Sequence, residues 1–172
     1  MNRAEKRKRN ISPAFKPNEA DALILDYVTR YEGTPFAIKE FAKSCRHLTD
    51  YGYWFGLSTL WVSYTGFSDL NLWRQLFQSE RPDRDRCIMK PDELKAFRAL
   101  PNPIVAHRAH RENETDWLSF TTSMERANKF LGARPGGYIK TYSIPKEHAL
   151  CYFLRRGEFE ILVLDKSKAV RT

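Results

Sequence analysis

The chain has 172 residues, 42% of them hydrophobic and 13% aromatic, and a formal net charge of +8. This composition excludes an intrinsically disordered chain, and the length is sufficient for one domain with a helical extension. Because the three cysteines share no C-x-x-C spacing, we expect free thiols in a reducing cytoplasm, with neither a disulfide framework nor a metal site. The basic balance favours polyanionic partners such as RNA, DNA or an anionic cofactor.

The first half of the chain is predicted to be helical after a basic, disordered tail of residues 1–17, which would contact nucleic acid or simply aid solubility. Asn18 is a suitable N-cap for the first helix, and Pro35 is suited to the first turn of the second. The predicted helices cover residues 19–31, 51–68, 69–79 and 91–100, with one more beginning at Pro35. Leu23, Leu25, Tyr27 and Val28 lie roughly on helical spacing in the first predicted helix.

Residues 51–68 contain no charged side chain and several aromatic ones. The segment also contains glycine, serine and threonine, so it is too polar and slightly too short for a membrane span. We therefore expect a helix that lies in the core or faces a partner protein, and no membrane association.

The pattern changes to strands in the second half of the chain. A helix over residues 123–131, capped by Ser123, interrupts them. The predicted strands cover residues 104–109, 117–121, 138–144, 149–154 and 158–164. Helices followed by strands indicate an α+β fold, with a helical region at 18–100 and a second region at 101–172.

Two carboxylates occur at the start of the last predicted strand. Because side chains alternate along a strand, Glu158 and Glu160 are expected to share one face, opposite Phe159 and Ile161. Two neighbouring carboxylates resist burial, so we expect the pair either to face a cleft or to lie on the solvent-exposed face of an edge strand.

An arginine and several hydroxyl groups lie on the preceding strands. Arg108 lies at the end of an aliphatic strand, where its planar guanidinium group would bind a carboxylate or a phosphate through two hydrogen bonds. Ser119, Thr121 and Thr122 precede a helix, where hydroxyls serve as caps or as hydrogen-bonding groups for a ligand.

Arg108 on the first strand, Ser119-Phe120-Thr121-Thr122 on the next and Glu158-Phe159-Glu160 on the last resemble the Arg–Ser–Glu signature of NAD-dependent mono-ADP-ribosyltransferases. The helix after the hydroxyl-bearing strand and the spacing of the strands are also similar to that family. The resemblance covers roughly residues 103–170 and does not extend to residues 1–100.

The resemblance implies a split β-sandwich, here preceded by a helical region, with NAD bound in its cleft as a substrate. Arg108 would hold the NAD phosphates, and Ser119 would support the nicotinamide-side ribose and Glu160. Glu160 would bind that ribose and stabilise the transition state, while Glu158 would orient or deprotonate the acceptor. Further contacts with NAD are expected from His107, Thr121, Phe130 and Tyr138, and contacts with the acceptor from Arg155 and Arg156.

The roles of the two glutamates are chemically consistent. Nicotinamide leaves a cationic glycoside as a neutral molecule, so the reaction needs a carboxylate near the developing positive charge and no general acid. The charge of one glutamate would raise the pKa of the other, which suits a base.

The chain departs from the family pattern in two places. It has His107-Arg108-Ala109 where aromatic-Arg-Gly is common, and Arg111 is an alternative to Arg108. The middle motif is not a strict S-T-S, so the important hydroxyl is that of Ser119, Thr121 or Thr122.

Three functions remain open for this chain. The basic charge favours a nucleic-acid acceptor, with RNA preferred to DNA, and an intracellular toxin of the anti-phage or toxin–antitoxin kind, held by an antitoxin. The E-x-E motif is associated with arginine acceptors, so a protein arginine mono-ADP-ribosyltransferase is the second possibility. The third is a non-catalytic module with this fold that binds nucleic acid or a partner.

Overall fold

A computed structural model describes residues 10–64 and 69–172. The fold is α+β, with an N-terminal helical region and a C-terminal antiparallel sheet. The chain divides into two compact units at Leu94 and Lys95, whereas the sequence placed the boundary after Leu100. This boundary falls inside the helix Pro91–Ala99.

Six α-helices begin in the described residues of the first unit. Thr34 and Asp69 cap two of them with side chains that accept hydrogen bonds from backbone N–H groups. The helices are α1 (Glu19–Thr29), α2 (Pro35–Ser44), α3 (Asp50–Ser63), α4 (Leu70–Phe77), the short α5 (Arg84–Cys87) and α6 (Pro91–Ala99).

The uncharged aromatic segment forms the central helix of this unit. Trp54 and Leu57 on α3 are fully buried, so the helix is a core helix, and the prediction for residues 65–68 lies outside the described residues. In the parts of the chain that the structure describes, no helix combines the length and the apolar character needed to cross a membrane.

Two of the four apolar residues that indicated α1 do not face the core. Leu23 is 74% exposed and Tyr27 is also exposed, while Asp21 and Val28 are buried. The carboxylate of Asp21 accepts hydrogen bonds from the backbone N–H (2.8 Å) and the hydroxyl of Thr49 at the start of α3. These bonds turn the Asp21 side of α1 inward, although a carboxylate does not contribute to a hydrophobic pattern.

Two residues of the predicted disordered tail make contacts in the part that the structure describes. The Ser12 hydroxyl donates to the carbonyl oxygen of Arg86 at 2.7 Å, and the Phe15 ring lies 5.2 Å from that of Tyr51. Ser12 and Phe15 therefore contact other residues of the first unit, while disorder of the tail stays a prediction and residues 1–9 lie outside the described part.

Strands of the second unit form one antiparallel sheet, which has six strands in the described residues. Their order is β4-β5-β2-β1-β3-β6, and the helix α7 (Met124–Gly132) packs against β1, β2 and β3. The strands are β1 (Ile104–His110), β2 (Ser119–Thr121), β3 (Tyr138–Ile144), β4 (Cys151–Phe153), β5 (Glu160–Leu162) and β6 (Val170–Arg171).

The last long predicted strand is wrong at its beginning. β5 begins at Glu160, because Arg155–Gly157 forms a 3₁₀ turn and Phe159 has a φ of 52°. A left-handed residue ends the alternation of side chains, so Glu158 does not belong to the strand of Glu160. The expectation that both glutamates lie on one strand face is corrected accordingly.

Candidate functional site

A row of polar residues crosses the middle of the sheet. His107 on β1 pairs with Thr121 on β2, and Thr121 pairs with Glu160 on β5. Thr141 on β3 extends the row on the other side of His107. Because directly paired residues project to the same face of a sheet, these four side chains share one face.

His107 is held within this row by a neighbouring hydroxyl. Its Nδ1 lies 2.9 Å from the Oγ1 of Thr141. Burial lowers the pKa of His107 below its usual value, so the imidazole is neutral at pH 7. A neutral ring can exchange hydrogen bonds with a ligand without adding charge to the site.

Thr121 connects the row to the turn that precedes β5. Its buried hydroxyl donates to the carbonyl oxygen of Glu158 at 2.7 Å and accepts from the N–H of Ser123 at 3.2 Å. The N–H of Thr122 donates to the carbonyl oxygen of Phe159 at 2.9 Å. The hydroxyl-bearing segment therefore holds the backbone on which both glutamates lie.

The turn from Leu154 to Phe159 has unusual backbone geometry. Arg156, Gly157 and Phe159 all have positive φ values, of 59°, 64° and 52°. Such a value is strained for a bulky residue, and the Phe159 ring is 39% exposed. This strain is concentrated directly beside Glu160.

Glu158 is half-buried among arginines. Burial raises its pKa, and the charges of Arg156 and Arg126 oppose the rise. The Arg156 Nε lies 3.5 Å from Oε1 of Glu158. The cause of the raised pKa is thus burial, and not the charge of Glu160 as the sequence suggested. A Cβ on Gly157 would lie 2.9 Å from Nη2 of Arg126, so the glycine admits that guanidinium close to the turn.

Arg108 lies on the opposite face of β1 from His107, because neighbouring residues of a strand alternate. Its guanidinium is paired with a carboxylate that the sequence analysis missed, Glu114: Nε lies 3.0 Å from Oε2 and Nη2 lies 2.7 Å from Oε1. The Nη1 group donates to the carbonyl oxygen of Ser119 at 2.7 Å and lies 3.3 Å from its hydroxyl. The structure therefore joins Arg108 to Ser119, but not to the row of His107 and Glu160.

His110 is the second residue that the sequence analysis missed. It is buried and lies between Glu114, 2.9 Å from Nδ1, and the Tyr142 hydroxyl, 2.7 Å from Nε2. The Tyr138 ring stacks on it with the ring centres 5.2 Å apart. Strand alternation was a usable signal here, because it puts His110 on the same face as Arg108.

Three further residues that were predicted to contact NAD or the acceptor lie beside cationic or aromatic side chains. Tyr138 is 40% exposed, with the Lys140 ammonium 4.9 Å from its ring. Phe130 on α7 contacts the Arg134 guanidinium, 5.8 Å from its ring. The Arg155 guanidinium lies 4.7 Å from the ring of Phe153, at the edge of the turn.

Comparisons with known proteins identify no relative of this chain. No family model, no curated protein and no solved structure matches it. Within the described residues, no group of three or more His, Cys, Asp and Glu side chains has the geometry of a metal site.

The second unit thus offers two chemical environments, one at the turn before β5 and one on β1, with β2 between these two strands. One has a glutamate with a raised pKa beside an exposed, strained turn that is rich in arginine. The other has an arginine whose orientation is fixed by a buried carboxylate. Glu158 has the chemistry of a base, Arg108 has that of an anion-binding group, and Glu160 has that of a carboxylate that stabilises a positive charge.

Proposed function

We propose that this chain is a NAD-dependent mono-ADP-ribosyltransferase that modifies nucleic acid, with RNA favoured over DNA, and acts in the cytoplasm as a toxin or anti-phage effector. The observation that carries the proposal is the row of Glu160, Thr121 and His107 on one face of β5, β2 and β1, beside the turn that carries Glu158. Arg108 lies on the opposite face of β1, so its part in binding NAD is proposed from the sequence resemblance alone. The proposal includes the fold of that family, in which the sheet would be a split β-sandwich with NAD in its cleft.

Glu160 would act at the reacting carbon of NAD. The bond between ribose C1 and the nicotinamide nitrogen breaks, and nicotinamide leaves as a neutral molecule with the bonding electrons. Positive charge develops on the ribose, and a carboxylate held at the start of a strand stabilises it. The hydrogen bond from Thr121 to the Glu158 carbonyl fixes the approach to that strand.

Glu158 would serve as the acceptor base. An acceptor nitrogen or hydroxyl forms the new bond to ribose C1, and its proton passes to the Glu158 carboxylate. The raised pKa of Glu158, caused by burial, supports this role because a base works best when its pKa approaches the working pH.

The surroundings of Glu158 favour a polyanionic acceptor. Arg126 and Arg156 lie close enough to lower its pKa by their charges, and the exposed ring of Phe159 follows it directly. Arginines bind phosphates, and an exposed aromatic ring stacks on an unpaired base, so RNA with single-stranded segments is the acceptor class that this turn fits.

An antitoxin protein is part of the proposal, because an intracellular toxin of this kind needs a neutralising partner. Trp54 and Leu57 of α3 do not contribute to its binding surface, since both side chains are buried within the first unit.

The proposal is tested by incubating the protein with NAD labelled in the adenylate moiety together with total RNA, DNA and cell protein. Glu160→Gln is compared with wild type, and Glu147→Gln, at an exposed glutamate, is the matched control. We expect label on RNA with wild type and with Glu147→Gln, and none with Glu160→Gln. Released nicotinamide is measured in the same samples.

Other outcomes separate the alternatives. Label on protein alone would replace the nucleic-acid acceptor by an arginine acceptor. If no label transfers and no nicotinamide is released, the chain is a binding module and the enzymatic proposal is wrong. Release of nicotinamide that continues in Glu158→Gln, with transfer lost, would assign the acceptor-base role to Glu158.

A further inference from the structure

One side of α1 carries apolar residues that are exposed to solvent. Leu23, Tyr27 and Tyr31 recur every four residues, and Phe36 follows at the start of α2. The ring centres of Tyr27 and Tyr31 lie 5.6 Å apart, and those of Tyr31 and Phe36 lie 4.7 Å apart. Leu23 is 74% exposed, and Tyr27 and Phe36 are each 44% exposed. We call these four residues the outer apolar surface.

The packing of the first unit does not explain this exposure. α1 already has an inner face, on which Asp21 and Val28 are buried. A helix with a second apolar side, exposed as a continuous patch, is typical of an interface with another chain. Residues 1–9, which the structure does not describe, have Met1 and Ala4 as their only hydrophobic residues, so their composition does not suit them to cover the patch.

Paired charges border the outer apolar surface. Nη2 of Arg30, at the C-terminal end of α1, lies 2.5 Å from Oδ2 of Asp26. Nζ of Lys43 lies 2.6 Å from Oε1 of Glu40 on α2. Each cation in these pairs has its own carboxylate, so the border does not offer the excess positive charge that a polyanion requires. A nucleic acid is therefore not the occupant that this surface fits.

The ion pair on α2 lies beside the tyrosines. A hydrogen bond with Tyr31 is the main cause of the raised pKa of Tyr27. The charge of Glu40 also raises that pKa and the charge of Lys43 lowers it, so both groups lie within interaction range of the Tyr27 hydroxyl. The apolar residues and the charges at their border thus form one continuous surface.

A second copy of this surface carries the charges that complement the first. When two α1 helices pack antiparallel about a twofold axis, a residue at a given distance before the axis faces one at the same distance after it. Asp26 and Arg30 are four residues apart, so an axis midway between them places Asp26 of each copy opposite Arg30 of the other. This axis passes about 1.5 Å along the helix from Tyr27, so the apolar residues meet at the centre.

The described part of the first unit also lacks the net positive charge of the whole chain. Residues 10–94 contain 10 Lys and Arg and 12 Asp and Glu, whereas the whole chain has a net charge of +8. Two copies that meet through α1 therefore bring together surfaces without a large charge of one sign, and the long-range repulsion between these surfaces is small.

We propose that the outer apolar surface is the interface of a homodimer, in which two α1 helices pack antiparallel about a twofold axis. Leu23 and Tyr27 of each copy are covered by the other copy, and Asp26 of each copy pairs with Arg30 of the other. This interface is independent of the proposed function, because neither NAD nor an acceptor is part of it. Since one short helix per copy supplies most of the contact, we expect a dissociation constant of about 1–10 μM.

Sedimentation velocity of the full chain, between about 0.5 and 200 μM, measures this equilibrium. With increasing concentration we expect the mass to rise from 20.2 kDa to twice that value. Leu23→Glu places a charge in the apolar centre, so we expect the dissociation constant to rise at least about 30-fold. Ala22→Glu is the matched control, since it adds the same charge at an exposed residue of the same helix, about 100° around the helix axis. We expect it to change the constant less than about threefold.

An exchange of charges tests the antiparallel arrangement. Asp26→Arg places arginines opposite each other on both sides of the axis, so we expect the dissociation constant to rise about 5- to 20-fold. Asp26→Arg combined with Arg30→Asp restores opposite charges across the axis, and we expect a constant within about threefold of wild type. Both side chains are largely exposed, so the variants should keep the fold of the monomer. A double variant that dimerises as weakly as Asp26→Arg would overturn the proposal.

The remaining outcomes are also decisive. A wild type that stays at 20.2 kDa at about 200 μM refutes the homodimer and leaves the surface to a different protein. A dimer that forms equally well in Leu23→Glu uses another surface, which also refutes the proposal. The measurement contains no NAD, so a chain that fails to transfer ADP-ribose still provides this test.

Discussion

The hydroxyl of Thr121 donates to the carbonyl oxygen of Glu158 at 2.7 Å, and Thr121 also pairs directly with Glu160 across the sheet. One threonine thereby sets the backbone position of both glutamates. In Thr121→Val, the carbonyl of Glu158 and the N–H of Ser123 lose their partner, and we expect a loss of about 1–3 kcal/mol in the free energy of unfolding.

Thr121→Ser is the matched control, because it keeps the hydroxyl and loses only a methyl group. Urea unfolding gives the stability of both variants, and nicotinamide release gives their activity. If Thr121→Ser loses as much stability as Thr121→Val, the hydrogen bond is not the reason for the loss.

Phe159 carries backbone strain that a second pair of variants can measure. Asparagine tolerates a left-handed φ and a β-branched residue does not, so we expect Phe159→Asn to be more stable than Phe159→Val by about 1 kcal/mol or more. Both variants lose the aromatic ring, so their difference in unfolding free energy isolates the backbone.

Tyr138 is the control position for this comparison, because its exposure of 40% is close to the 39% of Phe159 while it lies on a regular strand. There valine is expected to be more stable than asparagine, as β-strands favour branched residues. The same order at both positions would argue against strain at Phe159.

His110 makes the stability of the protein depend on pH. Its pKa in the folded state lies below the usual 6.5, so between the two values the unfolded chain binds more protons. Stability is therefore full above about pH 6.5 and declines as the pH falls through that window. Lys140 and Arg108 add to this effect, and Glu114 opposes it.

The measurement is the urea midpoint at pH 7.5 and pH 5.5 for wild type and His110→Gln. We expect a smaller change in the variant, with a residual change because burial also lowers the pKa of His107. Equal changes in the two proteins would mean that the pKa of His110 does not differ between the folded and unfolded states.

Gly52 allows α3 to approach the carboxylate of Asp21. A Cβ on Gly52 would lie 2.5 Å from Cγ of Asp21, and that side chain is held by Thr49. We expect Gly52→Ala to lower the unfolding free energy by about 1–3 kcal/mol in thermal or urea unfolding. Gly132→Ala is the control, since no heavy atom lies within 4 Å of a Cβ there, and it should be neutral or stabilising.

The sequence was sufficient to predict a helical first half and a strand-rich second half, because the hydrophobic periodicities of helices and strands are local properties of the chain. It identified Arg108, Ser119 and Glu160 on three separate strands, and the structure makes those strands neighbours. It did not reveal Glu114, because the connection between β1 and β2 has no periodic pattern that predicts which side chain turns back to Arg108.

Two further differences have a physical cause that sequence patterns do not contain. The turn before β5 depends on the left-handed conformation of Phe159, a residue type that rarely adopts it. The orientation of α1 depends on hydrogen bonds to buried Asp21, whereas hydrophobic patterning assigns a carboxylate to the outside.

The position of β5 between β4 and β2 has a consequence for the synthesis of the protein. In the described sheet β4 pairs with β5, so β4 has no place in the sheet until residues 160–162 have been made. A growing chain that stops before Glu160 lacks both the strand that joins the sheet and the carboxylate proposed to act on NAD. Premature termination before Glu160 would therefore yield fragments that lack a strand of the sheet and also the carboxylate proposed to act on NAD.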